Sequence, residues 1–147
     1  SSGLPADRLE IEITEAVLIH DDIAALAILH ELKAVGVRIA LDDFGTGYSS
    51  LSYLKRFPFD KIKIDRSFIT DMTENSGSSV IVQAVVNIAA SCDMTTVAEG
   101  VETPQQKELL RVLGCTQMQG FLFSSAKPGA EVRKLLVPSP DDVAEVA

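Results

Sequence analysis

The sequence predicts an α/β protein built on a parallel β-sheet. Short apolar segments with strand character alternate at least five times with segments of helical periodicity, which is typical of parallel strands joined by right-handed crossovers. The length of 147 residues and the apolar content of 46% suit one globular domain. Polar residues also recur near the carboxyl end of each predicted strand, the end that carries the functional groups in β/α barrels.

Hydrophobic patterning defines the first two strands. The segment 9–14 alternates apolar and polar residues with period two, which predicts a strand with its glutamates facing away from its isoleucines. An amphipathic helix follows, and Gly36 suits its end. The next strand begins at Ile39 and ends in two adjacent carboxylates, Asp42 and Asp43.

The later elements follow from the same reasoning. The best-defined helix begins after Thr103, because Pro104 fits its first position and Gln106 completes a capping box. A polar loop is expected over 71–79. The other predicted elements are a short helix over 48–56, a strand over 61–65, a helix after 79, strands over 94–98 and 115–119, and a helix over 130–137.

Composition excludes several classes of protein. A net charge of −8 argues against a duplex nucleic-acid binder, which needs a basic face. No apolar run approaches the ~18 residues of a membrane span, and the first residues lack the pattern of a signal peptide. Cys92 and Cys115 are far apart in sequence, so we expect buried free thiols and a cytoplasmic location.

The polar strand ends suggest a metal site. Two adjacent carboxylates repel each other, and a divalent cation removes that conflict because hard cations prefer oxygen ligands. A lone Asp42-Asp43 pair is also compatible with a solvated turn, but Lys63 and Glu99 at neighbouring strand ends favour the metal site jointly. Glu10, Asp60, His20 and His30 are expected to be surface residues, and Met118 to pack in the core.

Five segments in this order resemble the EAL-domain phosphodiesterases that hydrolyse cyclic di-GMP, and together they span nearly the whole chain. The segments are EITE at 12–15, DDFGTGYSSL at 42–51, KIDRSF at 63–68, AEGVE at 98–102 and QGF at 119–121. The resemblance implies a TIM-like (β/α)8 barrel. It also implies two Mg2+ or Mn2+ ions, inhibition by Ca2+, and water attack that opens one phosphodiester to give linear pGpG.

The resemblance assigns roles to individual residues. The implied roles are metal ligands for Glu12, Asp42, Asp43 and Glu99; catalysis for Lys63 and Glu99; substrate binding for Asp65 and Gln119; and loop anchoring for Glu15, Gly45, Gly47 and Ser49.

The chain also departs from the family pattern. The Glu-Ala-Leu segment and a metal-binding Asn, both on earlier strands, are absent, so we expect residues 1–137 to be the carboxyl-terminal three-fifths of one EAL domain, with about five to six β/α units. Residues 138–147 are expected to be a frayed acidic tail. We therefore expect low activity alone, and pairing with a second copy or with the missing strands of the domain.

Two other functions remain open from the sequence. They are a non-catalytic cyclic di-GMP receptor and a dimerisation scaffold. The resemblance is also compatible with an upstream sensory or GGDEF domain, and with a parent protein anchored in a membrane through upstream segments.

Overall fold

The computed structural model describes residues 3–15, 22–45, 51–74 and 76–136, and it has the predicted α/β architecture. Five parallel strands form one sheet in the order β1-β2-β3-β4-β5, so each strand pairs with the next strand of the sequence. The strands are β1 (Glu10–Thr14), β2 (Arg38–Phe44), β3 (Lys61–Ile64), β4 (Thr95–Ala98) and β5 (Gln117–Met118). The helices are α1 (Asp22–Val35), α2 (Leu51–Arg56), α3 (Arg66–Asp71), α4 (Ser76–Ser91), α5 (Pro104–Val112) and α6 (Gly129–Leu136), preceded by a short 3-10 helix (Ala6–Arg8).

This topology places all five carboxyl ends at one edge of the sheet, which we call the carboxyl rim. Sequential parallel neighbours with intervening helices are the repeating unit of a β/α barrel. The opposite edge, where the strands begin, is called the amino rim. The prediction of a parallel sheet is therefore confirmed.

The core lies between the sheet and its helices. Ile39, Ile62 and Ile64 are fully buried, and Val82 and Ala89 of α4 belong to the same apolar cluster. These isoleucines point to the helices, so the polar residues that alternate with them face the other side of the sheet. Met118 is partly buried against this cluster, as predicted.

Two helical segments differ from the sequence prediction. Part of the expected loop over 71–79 is helical, because α4 already includes Ser76 and Ser79. The hydroxyl of Ser79 donates to the Ser76 carbonyl at 2.9 Å, and such bonds let serine occupy a first helical turn. The short helix α3 was not predicted; its N-cap is Asp65, whose side chain accepts a hydrogen bond from the Ser67 amide.

The amino rim holds charged pairs that the sequence suggested would be solvated. Asp60 accepts a hydrogen bond from the Ile39 amide at 2.8 Å, and its other oxygen pairs with Lys33 at 2.5 Å. Lys61 pairs with Glu10 at 2.8 Å. Asp60 and Glu10 are partly exposed, which is compatible with the expected surface position, and both bind partners across the fold.

Other expectations can be compared directly. His30 is exposed, as predicted, whereas His20 lies outside the described residues, as does the tail 138–147. Cys115 is buried and Cys92 only partly so, and both thiols are free. None of the helices in the described part of the chain is long and apolar enough to cross a membrane.

Candidate active site

Lys63 is the centre of a charged cluster at the carboxyl rim. This lysine of β3 is 6% exposed, and its ammonium contacts carboxylates from three other strand ends. The distances from Lys63 Nζ are 2.8 Å to Glu12 Oε2, 3.0 Å to Asp42 Oδ1 and 2.9 Å to Glu99 Oε1. The topology therefore brings together residues that are up to 87 positions apart in sequence.

The charge of Lys63 is fixed by these neighbours. Burial alone lowers the pKa of a lysine, because desolvation penalises the ammonium form. Here the hydrogen bonds to Glu12, Glu99 and Asp42 outweigh that effect and raise the pKa above its ordinary value. Lys63 is consequently a permanent cation at neutral pH.

An irregularity in β2 lets the adjacent aspartates reach the same cluster. In a regular strand Asp42 and Asp43 would point to opposite faces. The register with β3 shifts between Leu41 and Phe44, and Asp43 has a positive φ of 54°. Its amide donates to Asp42 Oδ1 at 3.0 Å. Such a bulge re-aims side chains at the end of a strand.

Three carboxylates at this rim have the spacing of a metal site. One oxygen from each of Asp42, Asp43 and Glu99 lies within 4.8 Å of the others. Glu12, whose side chain is 48% exposed, lies outside this triplet and contacts the cluster through Lys63. Three carboxylates thus contact one ammonium, and the fourth, Asp43, lies beside two of them. The excess negative charge and the all-oxygen donor set fit Mg2+ or Mn2+.

The remaining predicted site residues have separate positions. Gln119 donates to Glu99 Oε1 at 2.6 Å, so it belongs to the cluster. Asp65 caps α3, and hydrogen bonds from Ser67 lower the pKa of its carboxyl below the ordinary value. Glu15 Oε1 accepts from the Gly45 amide at 3.2 Å. Two loop positions of the prediction, 47 and 49, lie outside the described residues.

Sequence reasoning missed the residues that hold the strand-end loops in place. Gly120 is packed so closely that an added Cβ would lie 2.2 Å from the Val101 carbonyl oxygen, and one on Gly100 would lie 2.7 Å from Arg66 Cβ. The Val101 amide donates to the Gln119 carbonyl at 3.0 Å. The only sequence signal was the presence of both glycines in the quoted motifs.

The fold and site together define a class: a barrel-type parallel α/β protein with an acidic cluster, spaced to hold a metal ion, at the carboxyl ends of its strands. Residues 1–126 match the model of the EAL domain. The chain belongs to the EAL domain family.

Known proteins of this family agree in sequence and structure. The cyclic di-GMP phosphodiesterase NbdA of Pseudomonas aeruginosa is 44% identical over 135 residues, which are 92% of this chain and 17% of NbdA. The complex of the PaMucR phosphodiesterase with c-di-GMP superposes with a TM-score of 0.84 at 46% identity, over 88% of this chain and 52% of that one. The manganese/cy-diGMP complex of Klebsiella pneumoniae BlrP1 superposes with a TM-score of 0.79 at 41% identity, over 84% of this chain and 31% of that one.

These matches also define how much of the relatives the chain represents. It spans 16–17% of the length of several curated relatives that are 47–49% identical to it. It covers 52% of the PaMucR structure and so has part of the EAL barrel. The described residues of this part form five parallel strands.

Proposed function

We propose that this chain forms the active-site rim of a metal-dependent phosphodiesterase that opens cyclic di-GMP to linear pGpG. The observation that carries the proposal is the convergence of Asp42, Asp43 and Glu99, two of which also pair with the buried ammonium of Lys63. Membership of the EAL family supports it, as do relatives whose names state phosphodiesterase activity or complexes with c-di-GMP.

Asp42, Asp43 and Glu99 would hold the metal ions, with Glu12 as a further ligand from β1. Two Mg2+ or Mn2+ ions, when bound, supply charge neutralisation at the phosphodiester and activation of a water molecule. The chemistry of the donors fits this role, because every side chain offers hard carboxylate oxygens. The metal positions would also explain how a chain of net charge −8 accepts a dianionic ligand.

Lys63 supplies a fixed positive charge beside the reacting phosphate. Because three carboxylates hold its ammonium, this charge would be in place before the reaction, which is the basis of electrostatic preorganisation. Glu99 would receive a proton from the water. Gln119 would orient the Glu99 carboxylate by donating to its Oε1. Asp65 and Gln119 would contact the substrate. Glu15 would anchor the loop that follows Gly45.

The assembly that does this chemistry is larger than the described sheet. We propose that residues 1–137 are the carboxyl-terminal part of one EAL domain and that further strands of the barrel pack beside β1. Closing a small barrel takes about eight strands, and the chain covers 52% of the PaMucR structure that it matches. On this proposal the 147-residue chain alone has weak or no activity, and the protein acts in the cytoplasm as a homodimer.

Product analysis on the full-length protein tests the function. The protein, freed of metal with a chelator, is incubated with cyclic di-GMP and Mg2+ or Mn2+, and pGpG is measured by chromatography. We expect turnover that depends on the metal and is lost with Ca2+. Calorimetry with cyclic di-GMP and Ca2+ is the companion measurement.

The two measurements distinguish the three functions that the sequence left open. Binding in the presence of Ca2+ without pGpG production in Mg2+ or Mn2+ would mean a cyclic di-GMP receptor. The absence of both binding and turnover would mean a dimerisation scaffold. Either outcome overturns the enzymatic proposal.

A further inference from the structure

We propose that Gln106 is a positioning residue for the carboxylate cluster: its buried amide holds the Glu99 loop against helix α3. The Glu99 loop is the segment 99–103 between β4 and α5. How the loop is held stands on contacts alone; the metal-affinity and activity readouts rest on the proposed function.

The side chain of Gln106 makes three hydrogen bonds in a site where it is 6% exposed. Its Oε1 accepts from the amides of Glu102 at 2.8 Å and Thr103 at 3.0 Å. Its Nε2 donates to the carbonyl of Ile69 in α3 at 3.1 Å. One amide group thus joins the end of the Glu99 loop to a neighbouring helix.

The bond to Ile69 explains why this position carries glutamine. A capping box accepts either glutamate or glutamine at its third position, because both side chains reach back to the N-cap amide. Here Thr103 and Gln106 form such a box. Only glutamine also has an N–H to donate to the Ile69 carbonyl. A glutamate would place a buried charge against that carbonyl.

The other end of the Glu99 loop is held against the same region. The Glu99 amide donates to the Ile64 carbonyl of β3 at 3.1 Å. Gly100 runs so close to Arg66, the first residue of α3, that an added Cβ would lie 2.7 Å from Arg66 Cβ. Since Asp65 caps α3 immediately after β3, this helix connects the strand of Lys63 to the Glu99 loop.

Movement of the loop would reach two residues of the cluster. Within the loop, the Val101 amide bonds to the Gln119 carbonyl, and the Gln119 side chain bonds to Glu99. Release of the Glu102–Thr103 corner would therefore loosen Glu99 and Gln119 together. We infer that Gln106 fixes the distance between Glu99 and Lys63.

Two matched variants of the full-length protein test this role. Gln106→Glu keeps the acceptor of the capping box and removes the donor to Ile69. Thr103→Ala removes the hydroxyl that accepts from the backbone amide of Gln106, and it leaves the side-chain bond from Gln106 to α3 in place. Thr103→Ala loses part of the cap of α5, whereas Gln106→Glu keeps the cap and loses the bond to Ile69, so thermal unfolding of the two variants separates the two effects.

Amide hydrogen exchange is the readout that does not depend on function. In Gln106→Glu we expect the amides of Glu99 and Val101 to exchange at least about tenfold faster, because local opening of the loop becomes easier. In Thr103→Ala we expect these two amides to stay near the wild-type rate after correction for global stability. Equal exchange of these amides in the two variants would overturn the proposal.

Metal affinity and kinetics give the second readout. We expect Gln106→Glu to weaken Mn2+ binding about tenfold, as is typical for residues that orient metal ligands, and to lower kcat more than it changes KM. Thr103→Ala should leave both near wild type, and a loss of Mn2+ affinity equal to that of Gln106→Glu would contradict the role. If Gln106→Glu does not fold, Gln106→Met takes its place with the same expectations. A wild type that binds Mn2+ but does not cleave cyclic di-GMP refutes the proposed function and leaves the positioning test intact.

Discussion

Two lysines of β3 form ion pairs of the same kind but in different surroundings. Lys61 and Lys63 are two residues apart and therefore lie on the same face of the strand. Each pairs with a glutamate of β1 at 2.8 Å, Lys61 with Glu10 and Lys63 with Glu12. Among the described residues, Lys61 has ion pairs with Glu10 alone, whereas Lys63 also pairs with two further carboxylates.

The two lysines differ in the charge balance of their surroundings. A partly exposed one-to-one pair such as that of Lys61 is neutral, and pairs of this kind contribute about 0–1 kcal/mol to stability. Around Lys63, negative charge exceeds positive charge, which costs free energy unless cations are added. The carboxyl rim therefore has excess negative charge that a bound cation would balance, whereas the Lys61–Glu10 pair at the amino rim is already neutral.

The largest expected difference is in activity when the two lysines are replaced in turn. Lys63→Gln should lower kcat about 10²–10⁴-fold, the range for loss of a group that assists proton transfer or stabilises charge in the transition state. Lys61→Gln should stay within about threefold of wild type, because its partly exposed pair with Glu10 lies at the opposite rim and contributes only to stability. Steady-state hydrolysis of cyclic di-GMP by the full-length protein measures both. Comparable losses in the two variants would show that the comparison between the lysines is wrong.

The next largest expected difference is in Mn2+ affinity, which should depend on carboxylates of the carboxyl rim and not on those of the amino rim. Asp42→Asn removes a ligand charge from the triplet, and we expect Mn2+ binding to weaken at least about tenfold. Glu10→Gln removes a carboxylate that lies on the same face of the sheet but at the amino rim, and it should leave Mn2+ affinity unchanged. Calorimetric titration with Mn2+ of both variants is the measurement. An unchanged affinity in Asp42→Asn would exclude Asp42 as a ligand.

The free energy of unfolding should show the reverse order, with a larger loss for a substitution at the amino rim than for one at the carboxyl rim. Asp60→Ala at the amino rim leaves the buried Ile39 amide without its acceptor and breaks the pair with Lys33. The expected cost is about 1–3 kcal/mol in the free energy of unfolding. Asp42→Asn should change stability by less than that, since it also relieves repulsion between carboxylates. Urea unfolding of the metal-free proteins tests the order, and a larger loss for Asp42→Asn would contradict it.

The sequence was sufficient for the sheet and for the main members of the cluster. Period-two alternation showed that Lys63 lies opposite the buried isoleucines, and Glu99 was placed at a strand end because it follows the predicted strand 94–98. Parallel topology then requires these ends to meet at one rim. The convergence of Asp42, Asp43 and Glu99 agrees with that reasoning.

Contacts of side chains with groups far away in the sequence could not be predicted in this way. The capping box of Gln106 was visible locally, but its bond to the Ile69 carbonyl, 37 positions away, depends on how α3 packs. The same holds for Asp60, whose partners Lys33 and Ile39 come from earlier elements. The bulge that re-aims Asp43 is a backbone irregularity with no signal in the hydrophobic pattern.

Asp65 gives the smallest and most specific prediction, because it lies at the carboxyl rim but makes structural hydrogen bonds. Bonds from Ser67 lower the pKa of its carboxyl in the folded state below the ordinary 3.8. A lowered folded-state pKa adds stability that is present above the pKa of the unfolded chain and is lost as the pH falls through the folded-state value. Asp65→Asn keeps a good cap without the charge. Wild type should thus exceed Asp65→Asn by up to about 1 kcal/mol at pH 7.

Urea unfolding of both proteins at neutral pH and well below pH 3.8 measures this difference, and it should shrink toward zero in acid. Ser67→Ala is the matched control. Loss of its hydroxyl removes a donor to Asp65 and should bring the pKa back toward the ordinary value, with a smaller dependence of stability on pH. A difference of the same size at both pH values would mean that the carboxylate charge of Asp65 does not stabilise α3. The residue would then differ less from Asp42 and Asp43 than its contacts indicate, and its proposed contact with substrate would become its main role.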